Sequence, residues 1–428
     1  MTPVTARPDR RGDHRRNLSP AMPNSSRPAI IYMCYDGVLE PLGESQVVAY
    51  LEGLADEYAI HLISFEKPAD TARPEHLARM AARLRAAGIV WHPRRYHKHP
   101  PILSTLWDMA AAMLLAAWLA LRHRARILHA RSVLCAAMLY PARVLGRSGG
   151  GGRLLIDIRG FWADERVDGG MIRPGGAVYR VLKAMEKFLL ARADHVVTLT
   201  HASVPVLRDD PRLGRTGAPI TVIPTCADLL LFSPGERDRS APLTIGYAGQ
   251  VGTWYMLDEM LAFFAAVKRH RPDARLLVVN THQQDAVRDA LARAGIDPAA
   301  VELVGSGREG MPALMRRMDA GMALIHPFFS KIASAPTKLA EYLGCGVPVV
   351  GNAGCGDMVQ IIEEDRVGVA MADTRPATIE AAALALLDRL GYPALPGRCV
   401  ASARRHFRLD DGIARYRAIY RSLTGEAA

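Results

Sequence analysis

In the stretch Ser334-Ala335-Pro336-Thr337-Lys338-Leu339-Ala340-Glu341, a proline suited to the first turn of a helix precedes a lysine and then a glutamate. The free backbone N–H groups of such a helix start favour a phosphate, with Ser334 or Ala335 at the cap and Thr337 beside it. Lys338 adds positive charge one turn in. Glu341 follows at i+3 on the same face, placed to accept hydrogen bonds from ribose hydroxyls. The alternative is an ordinary helix start with a surface Lys–Glu pair. Gly344, Gly346 and Pro348 then end the helix and open a strand.

A second polar concentration lies at Leu154 to Gly170, where Asp157, Arg159, Asp164, Glu165, Arg166 and Asp168 follow a short apolar run. Polar groups this dense at the carboxyl end of a strand line a site more often than they form a solvated loop. Asp157 or Arg159 is therefore expected to touch an acceptor or a departing phosphate. His129 and Arg131, at the end of the preceding strand, are weaker candidates, with His129 reading as a buried structural residue. Gly43 precedes a helix start, and Gly246, Gly249 and Gly252 open a loop where backbone can approach a phosphate. No pair of carboxylates has D-x-D spacing, and the six cysteines lack zinc-like spacing, so no metal site is expected and the thiols read as reduced.

The elements that must position these residues alternate regularly from Ala29 onward. Short β-rich runs at Ile30–Cys34, Ala59–Phe65, Ile89–His92, Ile127–Ala130, Leu154–Ile158, His195–Leu199 and Ile220–Ile223 are separated by segments of helical period. A polar break rich in turn residues at Ser233 to Pro242 reads as a linker. The alternation then resumes, with strands at Thr244–Ala248, Arg275–Asn280, Val301–Val304, Gly321–Ile325, Pro348–Gly351 and Val367–Ala370. The expected fold class is α/β, two Rossmann-like doubly wound domains facing a central cleft, over residues 29–232 and 243–400. A basic tail over residues 1–28 reads as disordered, and a last helix in 401–428, about Arg404 to Leu423, is placed to pack back on the first domain.

The formal charge of +11 favours polyanions, but without zinc-finger spacing or aromatic residues interleaved with the arginines, nucleic acid is not expected. Ile102 to Leu121 is about the length of a membrane span and carries one charge, Asp108. Because a span there would cut one sheet in two, the segment is predicted to be a buried or half-buried helix. Its basic flanks leave open a helix resting on an anionic bilayer.

The segment "PTKLAEYLGCGVPVV" resembles the donor-binding segment of family 4 GT-B glycosyltransferases, the "glycosyl transferases group 1" class. "VIPTCADLLLFSP" (Val222 to Pro234), "IGYAGQVGTWYMLDEML" (Ile245 to Leu261) and "VELVGSGREGMPALMRRMDAGMALIHP" (Val301 to Pro327) resemble other stretches of that family. The resemblance implies the GT-B architecture, a ribose contact by Glu341, a nucleobase near the backbone of Val304 and Gly305, and a glycine loop at Gly43. The family's second glutamate falls at Ala333, so Ser330, Lys331 or Ser334 must serve the sugar instead. The loop that often carries a basic residue holds Thr253, Trp254 and Tyr255, which leaves the phosphate charge to Lys331 and Lys338.

What the resemblance implies is transfer of a sugar from a nucleoside diphosphate to an acceptor hydroxyl, with retention, without cofactor or metal. The expected partners are a nucleotide-sugar donor, a lipid-linked or saccharide acceptor and an anionic membrane surface, in the cytoplasm or on the inner face of the cytoplasmic membrane. A nucleotide-sugar 2-epimerase of the same architecture and a catalytically silent nucleotide-sugar binder are the alternatives.

Overall fold

The computed structural model describes residues 27–97, 99–146, 152–236 and 240–425; nearly all of the basic N-terminal tail lies outside them. The first domain is built on a parallel sheet of seven strands: β1 (Ala29–Cys34), β2 (Ala59–Glu66), β3 (Val90–Arg95), β4 (Ile127–Arg131), β5 (Arg153–Asp157), β6 (His195–Thr198) and β7 (Ile220–Val222). Their spatial order is β3-β2-β1-β4-β5-β6-β7. The second has six parallel strands: β8 (Thr244–Ala248), β9 (Arg275–Val279), β10 (Val301–Val304), β11 (Ala320–Ala323), β12 (Val349–Asn352) and β13 (Gly368–Met371), in the order β10-β9-β8-β11-β12-β13. Strand order therefore reverses between β1 and β4 in one sheet and between β8 and β11 in the other. In doubly wound sheets the crevice beyond the carboxyl ends at such a reversal is where ligands bind.

The central strands are buried nearly throughout because both faces of each sheet are covered, whereas edge strand β3 is largely exposed. On one face of the first sheet the core is formed with helices Pro101–His123, Val133–Gly146 and Ala177–Leu190. On the other it is formed with Pro74–Ala86 and the last helix, Leu409–Thr424, whose Tyr416, Ile419 and Tyr420 are buried there. Two cores flank the second sheet in the same way. All six cysteines are buried and unpaired.

Two local differences from the sequence reading matter. The expected helix from Arg404 to Leu423 is two helices, Leu395–His406 and Leu409–Thr424. Phe407 is sunk in the core of the second domain and its carbonyl accepts a hydrogen bond from the Ala227 amide at 2.9 Å. Arg408 turns extended, and the next helix starts on the first domain. The chain thus crosses between domains here as well as at the linker. The segment at 102–121 is half-buried, its inner face packed and its outer face bare.

Candidate active site in the interdomain cleft

The first-domain wall of the cleft is made where β4 and β5 end. Arg131 is the last residue of β4, and Asp157, the last of β5, is followed by Arg159. Asp157 is wholly buried: its Oδ2 accepts the Tyr416 hydroxyl at 2.9 Å, and its Oδ1 stands 3.5 Å from Arg159 Nη1. Arg131 Nη1 and His129 Nε2 lie 4.0 and 3.9 Å from the same carboxylate. Burial alone would raise the Asp157 carboxyl, but Arg159, His129 and Arg131 hold it well below the usual carboxylate range. His129 itself is buried, its Nδ1 2.7 Å from the Tyr420 hydroxyl, with burial lowering its pKa.

One carboxylate therefore aims two guanidinium groups. Both also meet Gln46: Arg131 Nη1 donates to its backbone carbonyl at 3.0 Å and Arg159 Nη2 to its side-chain oxygen at 3.3 Å. Gln46 is fixed in turn by donating to the Cys226 carbonyl at 2.8 Å.

The second-domain wall is the segment from Ser330 to Thr337. Lys331 is buried, its Nζ 2.9 Å from Glu165 Oε1 of the first domain and 3.9 Å from the Trp254 ring centroid. Thr200 and Thr225 hydroxyls donate to the carbonyls of Ile332 and Ala335 at 2.6 and 2.7 Å. Asp357 accepts from the amides of His201 and Ala202 at 2.7 and 2.9 Å. These ties hold helix Thr337–Gly344 so that its start faces the first domain. The space enclosed is about 270 Å³, and among the described residues its lining carries three cations, Arg131, Arg159 and Lys331, and no carboxylate; Asp157 and Glu165 stand behind them. Its electrostatics suit an anion.

Lys338 lies one layer deeper. It is buried, with Nζ 3.2 Å from the Tyr247 hydroxyl and 4.2 and 4.1 Å from the ring centroids of Tyr247 and Tyr255. Gly249, at φ +137°, lies directly over it: a Cβ there would stand 2.9 Å from Nζ. Burial lowers the ammonium to about 7, opposed by Glu341; burial raises the Glu341 carboxyl to about 7, opposed by Arg308 and Lys338. Arg308 also lines a larger crevice of about 1180 Å³ between the two domains.

Residues 242–389, most of the second domain, match the family model described as Glycosyl transferases group 1. Sucrose-phosphate synthase from Thermosynechococcus elongatus superposes with a TM-score of 0.71 at 14% identity, covering 93% of this chain and 100% of its own. A glycosyltransferase from Rickettsia africae gives 0.67 at 14% identity over 94% and 100%. Anabaena Alr3699/HepE, solved with UDP and glucose, gives 0.66 at 14% identity over 92% and 99%. No curated protein sequence matches the chain. The second domain matches the group 1 glycosyltransferases and the described chain has the GT-B fold, so the protein is a glycosyltransferase.

In this glycosyltransferase the expected site residues fall into three groups. Lys331, Ser334, Thr337 and Arg159 line the cleft cavity, while Gly249, Lys338 and Glu341 form the layer beneath or beside it. Val304 and Gly305 stand at the carboxyl edge of β10 and do not line that cavity. Three expectations are corrected. Asp157 does not face the cleft: it is walled off by Arg131, Arg159 and Tyr416 and acts on the guanidinium groups. Gly43 does not precede the helix but lies inside its first turn, where a Cβ would come 2.2 Å from the Gly37 carbonyl oxygen. Glycine there serves close backbone packing, and its neighbours Leu42 and Gln46 reach the cavity instead. Ser330 is fully buried, with its amide donating to Asp168 at 3.2 Å, which leaves it out of reach of a sugar. Gln46 and Arg308 carried no signal in the sequence, since their neighbours come from distant segments.

Proposed function

We propose that this glycosyltransferase moves a sugar from a nucleoside diphosphate to an acceptor hydroxyl, with retention at the anomeric carbon, in the assembly of a surface polysaccharide or glycolipid on the cytoplasmic side of a membrane. The observation that carries the reading is the convergence of Arg131, Arg159, Lys331 and the start of helix Thr337–Gly344 on one cavity free of carboxylates. The hard part of such a transfer is the departing diphosphate, whose negative charge grows in the transition state. Preset cations and backbone N–H groups in a half-enclosed cleft offset that charge without reorganising. Glu341 is assigned to the ribose and Lys338, beneath Gly249, to the diphosphate. UDP bound to Alr3699/HepE supports a uridine nucleotide as the first donor class to try.

A panel of nucleotide sugars screened by thermal shift tests the donor, because binding raises apparent stability by mass action. Stabilisation by one donor, followed by a glycosylated product from lipid and saccharide acceptor extracts, is the expected result. Conversion of donor alone into its epimer would replace the reading with a 2-epimerase, and binding without any product would leave a silent binder.

A further inference from the structure

Helix Pro101–His123 is amphipathic in the wrong sense for a soluble protein. Its two inward polar residues, Ser104 and Asp108, are buried together with Ala112, Ala116 and Leu119. Asp108 accepts from the His97 amide at 3.0 Å and lies 2.6 Å from His97 Nδ1. The alanines let the helix sit close to its neighbour. The large apolar residues point outward: Leu103, Trp107, Leu114 and Trp118 form a stripe in which Leu114 is 75% and Trp107 67% exposed. At 1.5 Å per residue the helix runs about 35 Å. An exposed apolar stripe of this extent marks a surface that another phase or molecule covers.

The neighbouring helices say which. Val144 and Leu145 on Val133–Gly146, and Val178, Val181 and Phe188 on Ala177–Leu190, are also exposed, and Phe188 touches Tyr140 at a ring separation of 5.2 Å. Among the described residues of these three helices every exposed charge is positive: Arg122, Arg180 and Lys187 stand out in solvent. The two acids, Asp108 and Glu186, are both buried, the latter 2.7 Å from Lys183. We propose that this three-helix face of the first domain docks on an anionic lipid surface, with the Leu103–Trp118 stripe in the boundary between headgroups and acyl chains and the basic residues on the headgroups. Tryptophans with one polar edge suit that boundary, and cations beside an apolar stripe are the complement of anionic headgroups.

The helix does not span. It follows edge strand β3 and feeds the central strand β4, and its inner face belongs to the core beneath the sheet. The proposal concerns the surface alone and stands whatever reaction the cleft performs.

Flotation of the full chain with vesicles of phosphatidylglycerol or phosphatidylcholine tests it. Expected are binding to the anionic vesicles, weakened by high salt, and loss of about tenfold or more in the double variant W107E/L114E, because the stripe supplies apolar burial. R122E/K187E, on two helices, should remove the preference for phosphatidylglycerol while leaving residual binding. All four side chains are exposed, so unchanged melting temperatures are expected to accompany these losses. Equal binding of wild type and W107E/L114E, no binding to either vesicle, or binding that survives carbonate would each overturn the proposal. So would dimerisation in vesicle-free solution that L114E abolishes, since a second copy would then cover the face.

Discussion

Lys331 Nζ and Glu165 Oε1 stand 2.9 Å apart across the boundary between the two domains, although 166 residues separate them in the chain. The same lysine lines the cleft cavity and rests on Trp254. It joins two roles that can be separated: a tie between domains and a positive charge for the departing phosphate.

Glu165→Gln removes the tie and keeps the cation. As a partly exposed pair it contributes about 1 kcal/mol, so a small drop in melting temperature with kcat/KM within about threefold of wild type is expected. Lys331→Ala removes both, and kcat/KM should fall by about 30-fold or more, equivalent to ~2 kcal/mol of charge-assisted contact. Steady-state kinetics on both variants decide the matter. Equal losses would mean that Lys331 acts only by joining the domains.

Asp157→Asn should lower stability by about 3–5 kcal/mol in urea unfolding, since it strips the counter-charge from buried Arg131 and half-buried Arg159. Tyr416→Phe, which removes one hydrogen bond to that carboxylate, should cost about 1 kcal/mol. The folded carboxyl is held below its usual range, so its contribution is complete above the unfolded value, about 3.9, and is lost as pH falls below it. Asp157→Asn should flatten that acid limb. Full stability with lost turnover would return Asp157 to a direct chemical role.

The thirteen strands of the described residues were legible, the central ones because strands buried on both faces read as short apolar runs bounded by turn residues; edge strand β3 is largely exposed, and only its start, to His92, was read. Helix Thr337–Gly344 was legible from Pro336 and Gly344, and its loop partner Gly249 from the glycine spacing. What failed did so through distance in the chain. Asp157 sits among polar neighbours typical of a site, but its direction is decided by Tyr416, 259 residues away. Gln46 owes its place to the Cys226 carbonyl, 180 residues away. Gly43 was read as a phosphate loop because a lone glycine before an apolar helix looks the same whether the backbone approaching it is a ligand or Gly37. The 102–121 segment gave its composition correctly, yet only packing tells which face of an apolar helix is left bare.

Chelators should leave turnover unchanged, because Arg131, Arg159 and Lys331 already supply positive charge where the diphosphate departs. Rates with and without EDTA, at fixed ionic strength, are the measurement. A loss that magnesium or manganese restores would show that these cations are insufficient. Release of product alone can also respond to cations, so single-turnover rates are the stricter readout.

Lys338 and Glu341 carry the sharpest test, because burial pushes their pKa values toward each other until both titrate near 7. Donor binding needs Glu341 ionised, to accept from ribose hydroxyls, and Lys338 protonated, to meet the diphosphate. Rising pH improves the first condition and degrades the second, so donor affinity should pass through a maximum near neutrality, with apparent values that belong to the pair. Glu341→Gln keeps the shape and one acceptor oxygen; it should weaken donor binding by about 1.5–3 kcal/mol and remove the acid limb. Lys338→Met fills the space between Tyr247 and Tyr255 without a charge. It should remove the alkaline limb and, because the leaving group gains charge in the transition state, lower kcat at saturating donor as well. Calorimetric Kd values and kcat across pH on both variants separate the outcomes. Wild-type kinetics and pH profiles with only a lower melting temperature would make the two residues part of the packing and nothing more.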